Sequence, residues 1–230
     1  VKVQLPKPPS GSSQFIYNLV ATLRQVFSKV RPASGWKDKE APLASAKVAG
    51  SKPPTWTVFR DGIYAYEFDA STENEAWITF HLPHDLMMSY TEPDGTVTSP
   101  KLFPHVHYSS NAATPSTGVV RWGFEWTYAN GYSIDDFSAT STVYIEHTPS
   151  GTQYYHEIAE VSDDNALTGD FETDGLILFR FFRDAGHAND TNTDDLHVFT
   201  IDMHYLSDGL ETVERNRGSG TVPWHKQNPL

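Results

Sequence analysis

Between Val119 and Tyr128 the chain alternates without a break. Trp122, Phe124, Trp126 and Tyr128 fall on one side, and Arg121, Gly123, Glu125 and Thr127 on the other. A period of two sustained over this length is a β-strand with one face in a core and the other towards solvent. Upstream, His105-Val106-His107-Tyr108 alternates in the same way and points two imidazoles in one direction. The polar run from Ser109 to Gly118 has the Ser, Asn, Thr and Pro content of irregular connecting chain. If the two strands pair, His105 and His107 lie across from Arg121 or Glu125. That arrangement is either a functional site or a polar seam.

The rest of the chain repeats this strand-and-turn grammar. Trp56–Phe59 and Ile63–Phe68 flank Asp61-Gly62, a strong short-range hairpin signal. Glu75–Leu82 is the next strand, and Thr91–Pro100 is a turn-rich excursion. Thr142–His147 and Gln153–Val161 read as a hairpin around Thr148–Thr152, followed by an acidic loop from Asp163 to Thr173. Gly175–Arg183 is a nearly continuous apolar run, expected to be a central strand covered on both faces. After the polar loop Ala185–Asp195, the strand to Leu206 points Phe199, Ile201, Met203 and Tyr205 inward and Asp202 with His204 outward. Eight or nine strands with turn-rich loops predict an all-β body, a β-sandwich or jelly roll, over residues 56–210. The 30 aromatics among 230 residues fit half-buried pleated surfaces. There is no repeat at a fixed period, which argues against a propeller or solenoid.

Residues 1–55 read differently, as an N-terminal arm. Residues 1–13 are Pro- and Ser-rich and predicted to be extended. An amphipathic helix is predicted over about 14–30, with Phe15, Leu19, Leu23, Val26, Phe27 and Val30 at three- and four-residue steps and Arg31-Pro32 ending it. Residues 32–55 read as linker, and 211–230 as a tail without periodicity. One such helix has no core of its own, so Phe15, Leu19, Leu23 and Phe27 must bury against the body or another chain, flanked by Arg24, Lys29 and Arg31. Residues 1–60 carry ten Lys or Arg against two acids, net +8, whereas residues 61–230 carry seven against 27, net −20. The basic arm is suited to a negatively charged partner, and the acidic body disfavours nucleic acid. No run reaches membrane-span length, no secretory leader pattern opens the chain, and the absence of cysteine excludes disulfides and thiolate chemistry.

Of the possible chemistries, a metal site is the sharpest. His-x-His on a strand presents two imidazoles to one face, and Glu125 or His204 on a neighbouring strand is the candidate third ligand. The pattern lacks the second element of both the cupin and the carbonic-anhydrase metal strands: Ser109-Ser110-Asn111-Ala112 stands where a cupin has its glutamate, and Arg121–Glu125 holds no further histidine. No Gly-x-Ser-x-Gly elbow or phosphate-cradling loop is present. The strand acids Glu67, Glu75, Glu125 and Glu157 are scattered, and His81 and His84 bracket a proline where a turn role is expected. The expectation is therefore no enzymatic activity, no cofactor and a structural polar network. Exposed aromatics such as Trp56, Trp77 or Tyr108 leave glycan binding open.

The order His81-Leu82-Pro83-His84, Pro104-His105-Val106-His107-Tyr108, Gly118–Trp126 and Ile201-Asp202-Met203-His204-Tyr205 resembles a group of tailed-bacteriophage virion proteins, over roughly residues 54–210. The resemblance implies a jelly-roll structural protein of the virion, assembled in the host cytoplasm. It implies a capsid decoration (cement) protein acting as a homotrimer on the major capsid protein, with a tail component (adaptor, nozzle or glycan-binding receptor module) as the nearest alternative. In that picture His105, His107, Glu125, Asp202 and His204 form a polar network that holds strands in register.

Overall fold

A computed structural model describes residues 35–48, 50–91, 96–99, 101–131 and 135–209. The predicted helix over 14–30, with Phe15, Leu19, Leu23, Arg24, Phe27, Lys29 and Arg31, lies outside the described residues, as does the tail. Among those described, the chain forms β1 (Gly35–Pro42), β2 (Lys47–Val48), β3 (Thr55–Arg60), β4 (Ile63–Phe68), β5 (Glu75–His81), β6 (Tyr90–Thr91), β7 (Val97–Thr98), β8 (Phe103–Ser109), β9 (Val120–Ala129), β10 (Ser141–His147), β11 (Glu157–Glu160), β12 (Leu176–Arg183) and β13 (Leu196–Ser207). One sheet runs β11-β8-β13-β4-β3, with β1 also on β13; the second runs β10-β9-β12-β5-β2. Every pairing is antiparallel, β6 and β7 forming a small separate ribbon. The fold is all-β, a sandwich of two antiparallel sheets.

Alternation on the two sheets builds one core. Phe68, Val106, Tyr108, Ile201 and Met203 from the first sheet meet Phe80, Trp122, Phe124, Ile177, Phe179 and Phe181 from the second, all at most 1% exposed. Trp122 is central: it stacks on Phe181 at 5.2 Å and receives Phe68 and Tyr108 edge-on at 5.8 and 5.4 Å. Such ring pairs add to the burial of large apolar surface. Trp126 and Tyr128 continue the aromatic face of β9 and pack on Phe171. On the outer face, Gly123 has no side chain because its cross-strand partner Phe182 lies over it, 2.2 Å from where a Cβ would stand.

Several elements depart from the sequence expectation. The strands β8 and β9 do not pair; they belong to different sheets, and the loop between them crosses the sandwich. For the same reason β10 and β11 are not a hairpin. The apolar run of β12 is central, between β9 and β5, but not covered on both faces, since Leu176 and Leu178 are more than a third exposed. Within β13 a register shift between Val198 and Thr200 places Phe199 against Phe59 instead of in the main core. The Asp61-Gly62 hairpin forms as expected, with Asp61 at φ 50°.

The largest departure is at residues 35–48, read as linker. Gly35–Pro42 pairs along Thr200–Ser207, continuing the edge of β13 that β4 occupies at Leu196–Val198, and Leu43 is fully buried. The strand is easily missed because Trp36-Lys37-Asp38-Lys39-Glu40 is mostly charged, although it alternates with period two. Lys37 pairs with the buried Asp85, which also accepts hydrogen bonds from Ser207 at 2.7 Å and Tyr205 at 3.1 Å. These partners hold the Asp85 carboxyl below the usual carboxylate range against the effect of burial, which pushes it up.

Candidate histidine–carboxylate site

The two motifs Pro-His-Val-His-Tyr and Ile-Asp-Met-His-Tyr are neighbours in the first sheet. The register sets His105 opposite Asp202 on one side and opposite Glu160 on the other, while Asp38 faces His204. Because β8 and β13 send Val106, Tyr108, Ile201 and Met203 inward, their alternate residues His105, His107, Asp202 and His204 share the outer face. The adjoining strands bring Glu160 and Asp38 to the same place, and His156 arrives just before β11.

The groups interlock closely. His204 Nε2 is 2.7 Å from Asp38 Oδ1, and its Nδ1 bonds the Glu160 carboxylate. The His105 ring stacks on His204 at 4.2 Å, and the His107 ring stacks on His156 at 4.9 Å. His107 Nδ1 bonds His156 Nε2 at 2.7 Å, while His107 Nε2 lies 3.2 Å from Asp202 Oδ2. Thr200 Oγ1 donates to Asp202 Oδ1 at 2.6 Å. His105 and Asp202 are 2% and 5% exposed, so this is an embedded cluster with a more open rim at Asp38, Glu160 and His204.

Four of the five residues expected to form a polar network, His105, His107, Asp202 and His204, come together. Glu125 does not. It lies on the second sheet, where it, Glu73 and Glu75 converge on Arg180. The expectation failed because it required β8 and β9 to pair. Asp38, His156, Glu160 and Thr200 were missed, although His156, Ile158 and Glu160 alternate, which is the signal that places them on one face. His81 and His84 both reach Asp174 Oδ1, at 3.0 and 2.8 Å, fixing the turn after β5 as expected.

Burial pushes His105 below the usual histidine range, and the neighbouring His204 pushes it the same way. Burial also lowers His107, against the attraction of Asp202, and lowers His147 and His197. The folded protein therefore binds fewer protons at these sites than the unfolded chain once pH falls below the ordinary imidazole value of 6.5. Stability is expected to be retained above that value and lost as pH falls from it through the depressed folded values. Glu67, whose carboxyl burial raises from 4.5, acts in the opposite direction in the acid range. Urea midpoints measured from about pH 8 to about pH 5 are expected to fall on acidification, with a shallower fall in His105→Gln. A profile of the native protein that is flat through this window would contradict the assignment.

No family model matches the chain, and no curated protein does. Among solved structures, the chain is similar to a glycosylation-associated protein (Gap123) complex from Streptococcus agalactiae, at 7% identity and a TM-score of 0.35, over 89% of this chain and 30% of that one. It is also similar to Eiger TNF from S. frugiperda, at 13% identity and a TM-score of 0.22, over 61% of this chain and 90% of that one. The chain thus spans under a third of the first of these, and neither likeness carries a functional argument.

Proposed function

We propose that this protein is a structural, non-catalytic component of a bacteriophage virion: a jelly-roll decoration protein that assembles as a homotrimer on the capsid. The observation that carries this reading is an aromatic row at the edge of the first sheet that the described residues leave exposed. Trp56 and Tyr64 are each 50% exposed, with Val58 beside them, on β3 and the adjoining β4. Trp56 stacks with Tyr64 at 6.3 Å and meets Tyr66 edge-on at 4.9 Å, so the row is ordered against itself. β3 ends its sheet, and an edge strand carrying exposed apolar side chains is an invitation to association unless a partner covers it.

A second copy is the partner best matched by charge. The body is strongly acidic and would repel another body, whereas residues 1–34, which precede β1, carry five Lys or Arg and no acid. An arm reaching from one copy to the acidic body of the next satisfies both, and Arg24, Lys29 and Arg31 are its assigned contacts. The motif resemblance supplies the virion context.

Light scattering of the full chain is expected to give a trimer. Trp56→Ser with Tyr64→Ser is expected to shift it to monomer without unfolding the core. Reversing Arg24, Lys29 and Arg31 to Glu is expected to reduce binding to undecorated phage heads. A native monomer that does not bind heads would overturn the reading, and binding to tails instead would move it to a tail component.

A further inference from the structure

The histidine–carboxylate cluster contains two sets of three groups whose ligand atoms lie within 4.8 Å of one another: Asp38, His105 and His204, and His105, His107 and Asp202. They are not equivalent. In the first, His204 already has both ring nitrogens engaged, by Asp38 and Glu160. In the second, each residue has its other polar atom occupied. His105 Nδ1 faces the Phe103 carbonyl at 3.4 Å, His107 Nδ1 bonds His156, and Asp202 Oδ1 accepts from Thr200.

What remains is a convergent set of His105 Nε2, His107 Nε2 and Asp202 Oδ2. Among the described residues, His107 Nε2 is fully buried without a hydrogen-bond partner. The nearest carboxylate oxygens to His105 Nε2, on Asp38 and Asp202, are at 3.7 and 3.9 Å, beyond hydrogen-bond length. A buried imidazole nitrogen such as His107 Nε2 left in this way is costly unless something occupies the space before it. Metal-binding histidines typically have the other ring nitrogen oriented by a carbonyl or a similar partner, and ligating carboxylates are likewise hydrogen-bonded.

We propose that His105, His107 and Asp202 bind a divalent transition metal of the zinc class, which ties β8 to β13 on the outer face of the sheet. Tetrahedral ligands on zinc stand about 3.3 Å apart, given bonds of about 2.0–2.1 Å. The His107–Asp202 separation of 3.2 Å already matches this, and the His105–Asp202 separation of 3.9 Å is about half an ångström longer. Two imidazoles and one carboxylate select zinc or its first-row neighbours over calcium or magnesium, which prefer all-oxygen sets. Asp38 Oδ1, 3.7 Å from His105 Nε2, is the nearest further carboxylate. This site does not depend on the virion reading.

The test is equilibrium dialysis of the chelator-treated full chain against Zn²⁺, with elemental analysis, and a parallel Co²⁺ titration followed by visible absorption. One bound equivalent is expected, with the intense absorption of four-coordinate Co²⁺. His107→Gln and Asp202→Asn are each expected to lose it, Thr200→Val to weaken it about 10–100-fold, and His204→Gln to keep it. Circular dichroism establishes that each variant is folded. Should the ligand variants unfold, histidine-detected ¹⁵N spectra of the native chain decide, because the largest shifts on adding Zn²⁺ are expected at Nε2 of His105 and His107, with smaller ones at the rings bonded to or stacked on them. Failure of the native chain to bind Zn²⁺, retention by His107→Gln, or largest shifts at histidines other than His105 and His107 would overturn the proposal.

Discussion

Arg183→Ala is expected to destabilise the protein by about 3–5 kcal/mol, the range for breaking a buried ion pair by removing one partner. Arg183 and Asp190 have side chains 0% and 1% exposed and meet through two parallel bonds of 3.0 Å each. The remaining guanidinium donors reach the carbonyls of Asp194 and Asn192, each at 2.6 Å, and of Phe68 at 3.4 Å. Truncation would leave a buried carboxylate and these carbonyls without their donor. The effect should extend beyond the pair, because the loop it anchors carries the crossing between β8 and β9. Asp194 accepts bonds from Ser110 and Ser116, and Asn192 donates to the Gly118 carbonyl. Arg183→Lys is expected to rescue little, since an ammonium cannot reproduce the planar fork. Urea unfolding measures the loss, and hydrogen exchange should show residues 110–119 and 184–195 opening together. A loss below about 1 kcal/mol for Arg183→Ala would show that the node does not organise the loops.

Trp122→Ala is expected to cost a similar amount, about 3–5 kcal/mol, for a different reason. The indole is fully buried and touches rings from both sheets, so its removal leaves a cavity at the centre of the sandwich that rigid neighbours fill poorly. Trp122→Phe should cost far less. It keeps most of the ring and removes an indole N–H that has no hydrogen-bond partner among the described residues. Equal losses for the two substitutions, in denaturant unfolding at neutral pH, would contradict a packing origin.

Both residues bear on the candidate site. Apart from His156, which lies just before β11, the cluster sits on four strands, and its geometry is only as fixed as their register. Trp122 holds the second sheet against the inner side of β8 through Tyr108, directly behind the histidines. Arg183 holds the loops that leave β8 and enter β13. Loss of either is expected to loosen the cluster without touching it.

Much of this was legible in the residues themselves. A period of two is local and needs no partner to be read, so the face assignments along β8, β9 and the C-terminal part of β13 hold, and with them the shared face of His105, His107, Asp202 and His204. The Asp61-Gly62 turn is likewise set by adjacent residues. Pairing is another matter. Whether β8 turns back onto β9 or crosses to the other sheet depends on where the loop between them is fastened, and its anchors at Asn192 and Asp194 lie 74 and 84 residues away along the chain. That distance separated Glu125 from the histidines it was expected to join. Gly35–Pro42 shows the same limit from the other side. A charged, alternating segment has little hydrophobic signal, and only the open edge of β13 made it a strand and brought Asp38 to His204. Side-chain direction was therefore determined by the sequence wherever the strand runs regularly, because each residue's neighbours impose it, and was lost where a register shift breaks the alternation, as at Phe199. Strand partnership was decided by the tertiary structure, because hydrogen-bonding edges carry no mark of which distant edge they will meet.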